Sequence, residues 1–155
     1  MIDRRSFLAA PFFVRELLSK PPSGTVRLAS FGASNMAYST LDGIASHPKV
    51  KLVCVAEVDS NRLERVKAKY PDARIYQDWR EMLRKERGQI DAACVGTPDH
   101  HHAPLAISSM RMGLPVYVQK PLAHDIHEVR AMMKIARAKK LPTQMGIQIH
   151  SWKEY

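Results

Sequence analysis

Val26-Arg27-Leu28-Ala29-Ser30-Phe31-Gly32-Ala33-Ser34-Asn35-Met36-Ala37 decides how the rest of this chain is read. A short apolar run ends at a glycine, and a helical pattern opens three residues later. Glycine at position 32 permits the tight turn that such a junction needs. The spacing is that of a phosphate-binding turn, G-x-G-x-x-G/A, with Gly32 in the first position and Ala37 in the third. Ser34 occupies the second. There a Cβ crowds the approach of a pyrophosphate, while the hydroxyl offers a donor to a phosphate oxygen. Alone, these residues also fit an ordinary strand-to-helix turn, so the flanking sequence carries the decision.

Working outward, β-rich runs at 50–56, 74–76, 90–95, 115–118 and 142–145 join the one at 26–31. Helical patterns lie between them. One spans 35–46 and stops before His47-Pro48. Another runs from Ser60, as its cap, to Lys69, and Tyr70-Pro71-Asp72 closes it. A third is capped by Asp78 and ends at Arg87-Gly88. A fourth is opened by Asp99 and ends at Met112-Gly113. The last covers 125–139. Six strands alternating with five helices predict an α/β fold with a doubly wound parallel sheet in the order 3-2-1-4-5-6. Its ligand crevice belongs at the carboxyl ends of the strands. Cys54 then falls on the second strand and Cys94 on the fourth, with the first between them. A separation of about two strand spacings, near 10 Å, is too long for a disulfide, so both are read as buried, inert thiols.

The second strand ends in Ala56-Glu57-Val58-Asp59, and Glu57 follows Gly32 by 25 residues. A carboxylate about 20 residues after the glycine turn is where a ribose hydroxyl is held. It repels a 2′-phosphate, so NAD is the expected cofactor; Arg62 nearby keeps NADP open. Two later segments stand at the ends of strands four and five, Gly96-Thr97-Pro98-Asp99-His100-His101-His102-Ala103 and Val118-Gln119-Lys120-Pro121-Leu122-Ala123. Asp99 and His102, three apart, invite a metal reading. No second Cys/His cluster completes the coordination, so no metal is expected.

Together the glycine turn, the Glu57 strand end and these two segments resemble the glucose–fructose oxidoreductase / inositol dehydrogenase (Gfo/Idh/MocA) family. That family carries T-P-[ND]-x-x-H after the fourth strand and E-K-P after the fifth. Thr143-Gln144-Met145-Gly146-Ile147-Gln148 resembles a branch with Q-M-G-x-Q. The resemblance implies a Rossmann domain in which Gly32, Ala33, Ser34, Asn35 and Met36 wrap the pyrophosphate and Glu57 holds the adenosine ribose. It implies that Thr97, Pro98 and His102 line the nicotinamide side and that Lys120 is the catalytic lysine. Gln119 replaces the usual Glu, and keeps only the capacity to hydrogen-bond the nicotinamide ribose. The implied reaction moves hydride between a nicotinamide and a sugar or polyol hydroxyl. An ammonium beside that hydroxyl stabilises the charge left as its proton departs. Asp99 is then a helix cap, and His100 and His101 are variable.

The 155 residues divide, on this reading, into an N-terminal segment (1–24), the dinucleotide-binding domain (25–150) and the start of a further domain (151–155). Family members are about twice as long and carry a second, substrate-binding domain, so the resemblance implies that Lys120 lacks its usual partners here. A non-catalytic nucleotide-binding module is the alternative. Asp3-Arg4-Arg5-Ser6-Phe7-Leu8, followed by apolar residues to Val14 and by Ser19-Lys20-Pro21-Pro22-Ser23-Gly24, has the pattern of a twin-arginine export signal and linker. A periplasmic protein and a cytoplasmic one with a short N-terminal helix are both consistent with it. No apolar run reaches the ~20 residues of a membrane span. The charge is +9, concentrated in helical runs such as Arg62 to Lys69 that read as solvated faces. No aromatics interleave them in a repeat, which argues against nucleic acid as a partner.

Overall fold

A computed structural model describes residues 24–147. The N-terminal segment with Arg4-Arg5, and residues 148–155, lie outside them. Six parallel strands form one sheet in the order β3-β2-β1-β4-β5-β6, as the alternation predicts. They are β1 (Val26–Phe31), β2 (Val50–Ala56), β3 (Arg74–Tyr76), β4 (Ala92–Val95), β5 (Val116–Gln119) and β6 (Thr143–Gly146). The helices between them are α1 (Asn35–Ala45), α2 (Glu64–Lys69), α3 (Trp79–Lys85), α4 (His102–Arg111) and α5 (Ile126–Lys139).

The central strands are apolar on both sides because both faces of the sheet are covered. Leu28, Leu52, Val55 and Cys94 pack under Tyr38 and Leu41 of α1 and Val66 of α2. Ala29, Phe31, Val53, Val95 and Val118 pack on the other face with Met82, Leu105, Met110 and Met132 from α3, α4 and α5. The exposed Arg65, Lys67 and Lys69 form the outer side of α2, the solvated face expected of such a run. Cys54 pairs with Ala29 on one side of β1 and Cys94 with Ser30 on the other. Both thiols are free and buried, and burial pushes each up to about 12.

Several boundaries depart from the sequence reading, each for a local reason. Asp59, rather than Ser60, caps the segment after β2 by accepting a hydrogen bond from the Asn61 N–H; a 3₁₀ turn over Ser60–Arg62 precedes α2. Asp99 does not cap α4. It opens a second 3₁₀ turn, Asp99–His101, and its carboxylate accepts from the His100 N–H. β4 starts at Ala92 because Asp91 is engaged by Arg27, through its backbone N–H and two guanidinium nitrogens at 2.8–2.9 Å. α3 ends at Lys85 because Glu86, 3% exposed, turns inward to Arg74. β5 and β6 are each displaced by one residue from the sequence reading: both begin after a proline, which has no N–H to give to a strand partner, and they end at Gln119 and Gly146.

Candidate cofactor-binding site

The register of the sheet determines which residues emerge together. Phe31 pairs with Ala56 and with Val95, Val95 with Val118, and Val118 with Met145. The next residue on each strand therefore stands at one level of the carboxyl edge: Glu57, Gly32, Gly96, Gln119 and Gly146, in spatial order. That edge is where open α/β sheets take their ligands.

The glycine turn is built by close packing. Gly32 has φ +94, a left-handed conformation that favours glycine. Asn35, the first residue of α1, has φ +48, which asparagine tolerates better than most residues. A Cβ at Gly96 would stand 2.7 Å from the Ala37 Cα and 2.8 Å from its Cβ. The space that a third glycine usually leaves on the helix is here left by Gly96 on the facing strand end, which explains why Ala37 is accommodated. Sequence reading assigned Gly96 no role. Its signal is a glycine directly after an apolar strand, level with Gly32.

A cleft of about 380 Å³ opens over this turn. Gly32, Ser34 and Ala37 line it from the turn, and Glu57, Asp59 and Arg62 from the end of β2. Ala33 is buried at 1% exposure, and Met36 is 42% exposed on the first turn of α1. Glu57 grips the turn directly: its Oε2 accepts from the Ala33 N–H at 3.0 Å and its Oε1 from the Asp59 N–H at 3.2 Å. The Arg62 Nε donates to Asp59 at 3.0 Å, while its Nη1 reaches the Ser34 Oγ at 3.4 Å. The far wall carries Thr97 and Pro98, together with Trp79, His100 and His101. The two histidines read as variable thus face the cleft, their ring centroids 4.3 Å apart. The Thr97 Oγ1 is buried and has no hydrogen-bond partner. An unpaired buried hydroxyl is costly unless something else supplies the bond.

Of the sequence candidates, Ala33, Asn35 and Met36 adjoin the cleft without lining it, and His102, Gln119 and Lys120 lie away from it. His102 is 1% exposed and does not face it. Its Nδ1 lies 2.6 Å from the Pro121 carbonyl oxygen and its Nε2 2.7 Å from that of Thr97. Both ring nitrogens are thus engaged by backbone carbonyls rather than offered to the cleft. Gln119, 5% exposed, accepts from the Lys120 N–H at 2.9 Å and donates to the Thr40 Oγ1 at 3.2 Å. Gly146 makes room for it, since a Cβ there would stand 2.7 Å from the Gln119 Oε1. Lys120 is exposed beyond the end of β5, and its ammonium forms no ion pair among the described residues. No cluster of three potential metal ligands occurs among the described residues.

The profile of the Gfo/Idh/MocA oxidoreductases, an NAD-binding Rossmann fold, matches residues 26–147. The chain belongs to the Gfo/Idh/MocA family. Curated relatives include the scyllo-inositol 2-dehydrogenase (NAD(+)) of Bacillus subtilis, 29% identical over 122 residues that make up 78% of this chain and 35% of the relative. Another is an alpha-N-acetylgalactosaminidase of Shewanella oneidensis, 28% identical, covering 72% of this chain and 26% of the relative. The crystal structure of myo-inositol 2-dehydrogenase from Lactobacillus plantarum superposes with a TM-score of 0.71 at 29% identity, over 79% of this chain and 36% of that one. This Gfo/Idh/MocA chain thus spans about a quarter to about a third of the length of these relatives. The glycine cradle, the Glu57 carboxylate and the orphaned Thr97 hydroxyl fit the NAD of this family's Rossmann domain.

Proposed function

We propose that this domain binds NAD across the carboxyl edge of its sheet and forms one side of a site that moves hydride between the nicotinamide and a sugar or polyol carbon. The observation that carries the reading is the Glu57 carboxylate, held on the Ala33 N–H at the mouth of the glycine turn. It places an acceptor for ribose hydroxyls beside the anion-binding start of α1. Ser34 and the first turn of α1, with Asn35 and Met36, face the pyrophosphate. Thr97 and Pro98 meet the nicotinamide end, where the Thr97 hydroxyl gains the partner it lacks. The bound nicotinamide supplies the hydride acceptor. Lys120 holds its ammonium near the substrate hydroxyl and stabilises the oxygen as the proton leaves. Gln119, lacking the charge of a glutamate, orients the Lys120 backbone.

The preference for NAD over NADP rests on charge. Glu57 and Asp59 oppose a 2′-phosphate, and Arg62 is already engaged by Asp59. Calorimetric titration tests this: NAD should bind with a clear heat, and more tightly than NADP. Silence with both cofactors at millimolar concentration would overturn the reading. Lys120→Met separates the catalytic role from a purely nucleotide-binding one. NAD affinity should hold, while any hydride transfer to or from sugars or polyols should be lost.

Export by the twin-arginine route is a separate proposal, supported by Asp3-Arg4-Arg5-Ser6-Phe7-Leu8. Fractionation of cells carrying the chain and its Arg4→Lys/Arg5→Lys variant tests it. A periplasmic wild type and a retained variant support export; retention of both means a cytoplasmic protein.

A further inference from the structure

The end of β4 and the end of β5 are the two places from which Thr97 and Lys120 emerge. Their backbone pairing stops at Val95 and Val118. Beyond that rung the two loops present carbonyl oxygens, those of Thr97 and Pro121, to the same ring. Two carbonyls cannot hydrogen-bond each other, so a donor must stand between them. The buried His102 imidazole occupies that place, from the first turn of α4. Each ring nitrogen lies within hydrogen-bond distance of one loop carbonyl, so the ring spans the gap between the loops whichever nitrogen carries the hydrogen. Next to this tie, the Gln119 side chain fixes the Lys120 N–H. The backbone of Lys120 is therefore anchored on both sides, by Gln119 before it and by His102 through Pro121 after it.

We propose that His102 is a positioning residue that bridges the post-β4 and post-β5 loops and so sets where Lys120 stands relative to Thr97 at the nicotinamide end of the cleft. The proposal rests on the dinucleotide reading above. His102 acts through Lys120 and Thr97 and touches neither cofactor nor substrate. The adenosine end, built on Gly32, Glu57 and Arg62, does not depend on the tie.

The experiment compares the full chain with its His102→Leu and His102→Gln variants. Leucine fills the space without a donor, whereas glutamine carries an NH₂ group that can serve the carbonyls. ADP binding by calorimetry reads the adenosine end, and NADH fluorescence reads the nicotinamide end. ADP affinity should stay within about twofold in both variants. In His102→Leu, NADH affinity should fall about tenfold, the scale of a lost buried hydrogen bond, and the nicotinamide fluorescence change on binding should vanish. His102→Gln should recover part of both. Where the leucine variant does not fold, the glutamine variant carries the comparison, with a smaller loss confined to NADH. Equal losses for ADP and NADH would make His102 merely structural and overturn the proposal. So would unchanged NADH binding in the variants, or a wild type that binds ADP with no nicotinamide signal from NADH. A wild type that binds neither nucleotide would sink the dinucleotide reading and this proposal together.

Discussion

Glu57 shows how one side chain joins fold and function. Its two oxygens accept backbone N–H groups from Ala33 and Asp59, so the carboxylate that faces the cleft also braces the turn beneath it. Glu57→Ala should weaken NAD more than NADP, because it removes a ribose acceptor and also a charge that repels a 2′-phosphate. Paired calorimetric titrations check this, and equal losses would remove the ribose role. Gly96 acts through absence. An added Cβ meets the backbone of Ala37, and backbone cannot swing away as a flexible side chain can. Gly96→Ala should therefore cost about 1–3 kcal/mol, the range of overpacked sites, and loosen the cofactor turn as α1 shifts. Chemical denaturation and an NAD titration of the same variant measure the two effects.

At the scale of elements, the contact between β3 and the end of α3 is made by Arg74, Tyr76 and Glu86. The Arg74 guanidinium donates to both Glu86 oxygens and the Tyr76 hydroxyl donates to Oε1 at 2.6 Å. The Arg74 hydrogen bonds hold the Glu86 carboxyl below its usual range, against the opposing effect of burial. Burial and the bond to Glu86 push the Tyr76 phenol up to about 12. A carboxyl whose folded value is depressed contributes stability that is present above its unfolded value, about 4.3, and is lost as pH falls through the folded one. Glu86→Gln should accordingly destabilise at pH 7, and the gap to wild type should narrow toward pH 3 in denaturant titrations. A gap that stays constant would remove Glu86 as an acid-labile tie. This network also accounts for a boundary that sequence missed. Helix periodicity carries α3 on to Arg87, and only the position of Arg74 on the neighbouring strand draws Glu86 inward. The strands themselves were legible, since a β-rich run bounded by turn residues has few other fates.

For the whole molecule, binding to the native state alone raises stability by mass action. NAD at about 100 times its dissociation constant should add roughly 2.7 kcal/mol, a rise in Tm of about 5–10 °C for a domain of this size. Thermal unfolding with and without NAD checks it, and an unchanged midpoint at saturating concentration would contradict the binding. The order of the strands, the burial of both sheet faces and the edge on which the cleft opens followed from the sequence alone. Period-2 and helical patterns alternate along the chain, and right-handed crossovers leave little freedom in how they assemble. That the glycine turn, Glu57 and Thr97 meet at one edge was likewise legible, because each stands at the end of a strand. What only the tertiary structure decided is how these ends meet. His102 turned out to face two carbonyls rather than the cleft, His100 and His101 to line it, and Gly96 to make the room that Ala37 takes. Each depends on register and packing between chain segments, such as the 19 residues that separate His102 from Pro121, and no local pattern encodes which side of a turn a ring will occupy.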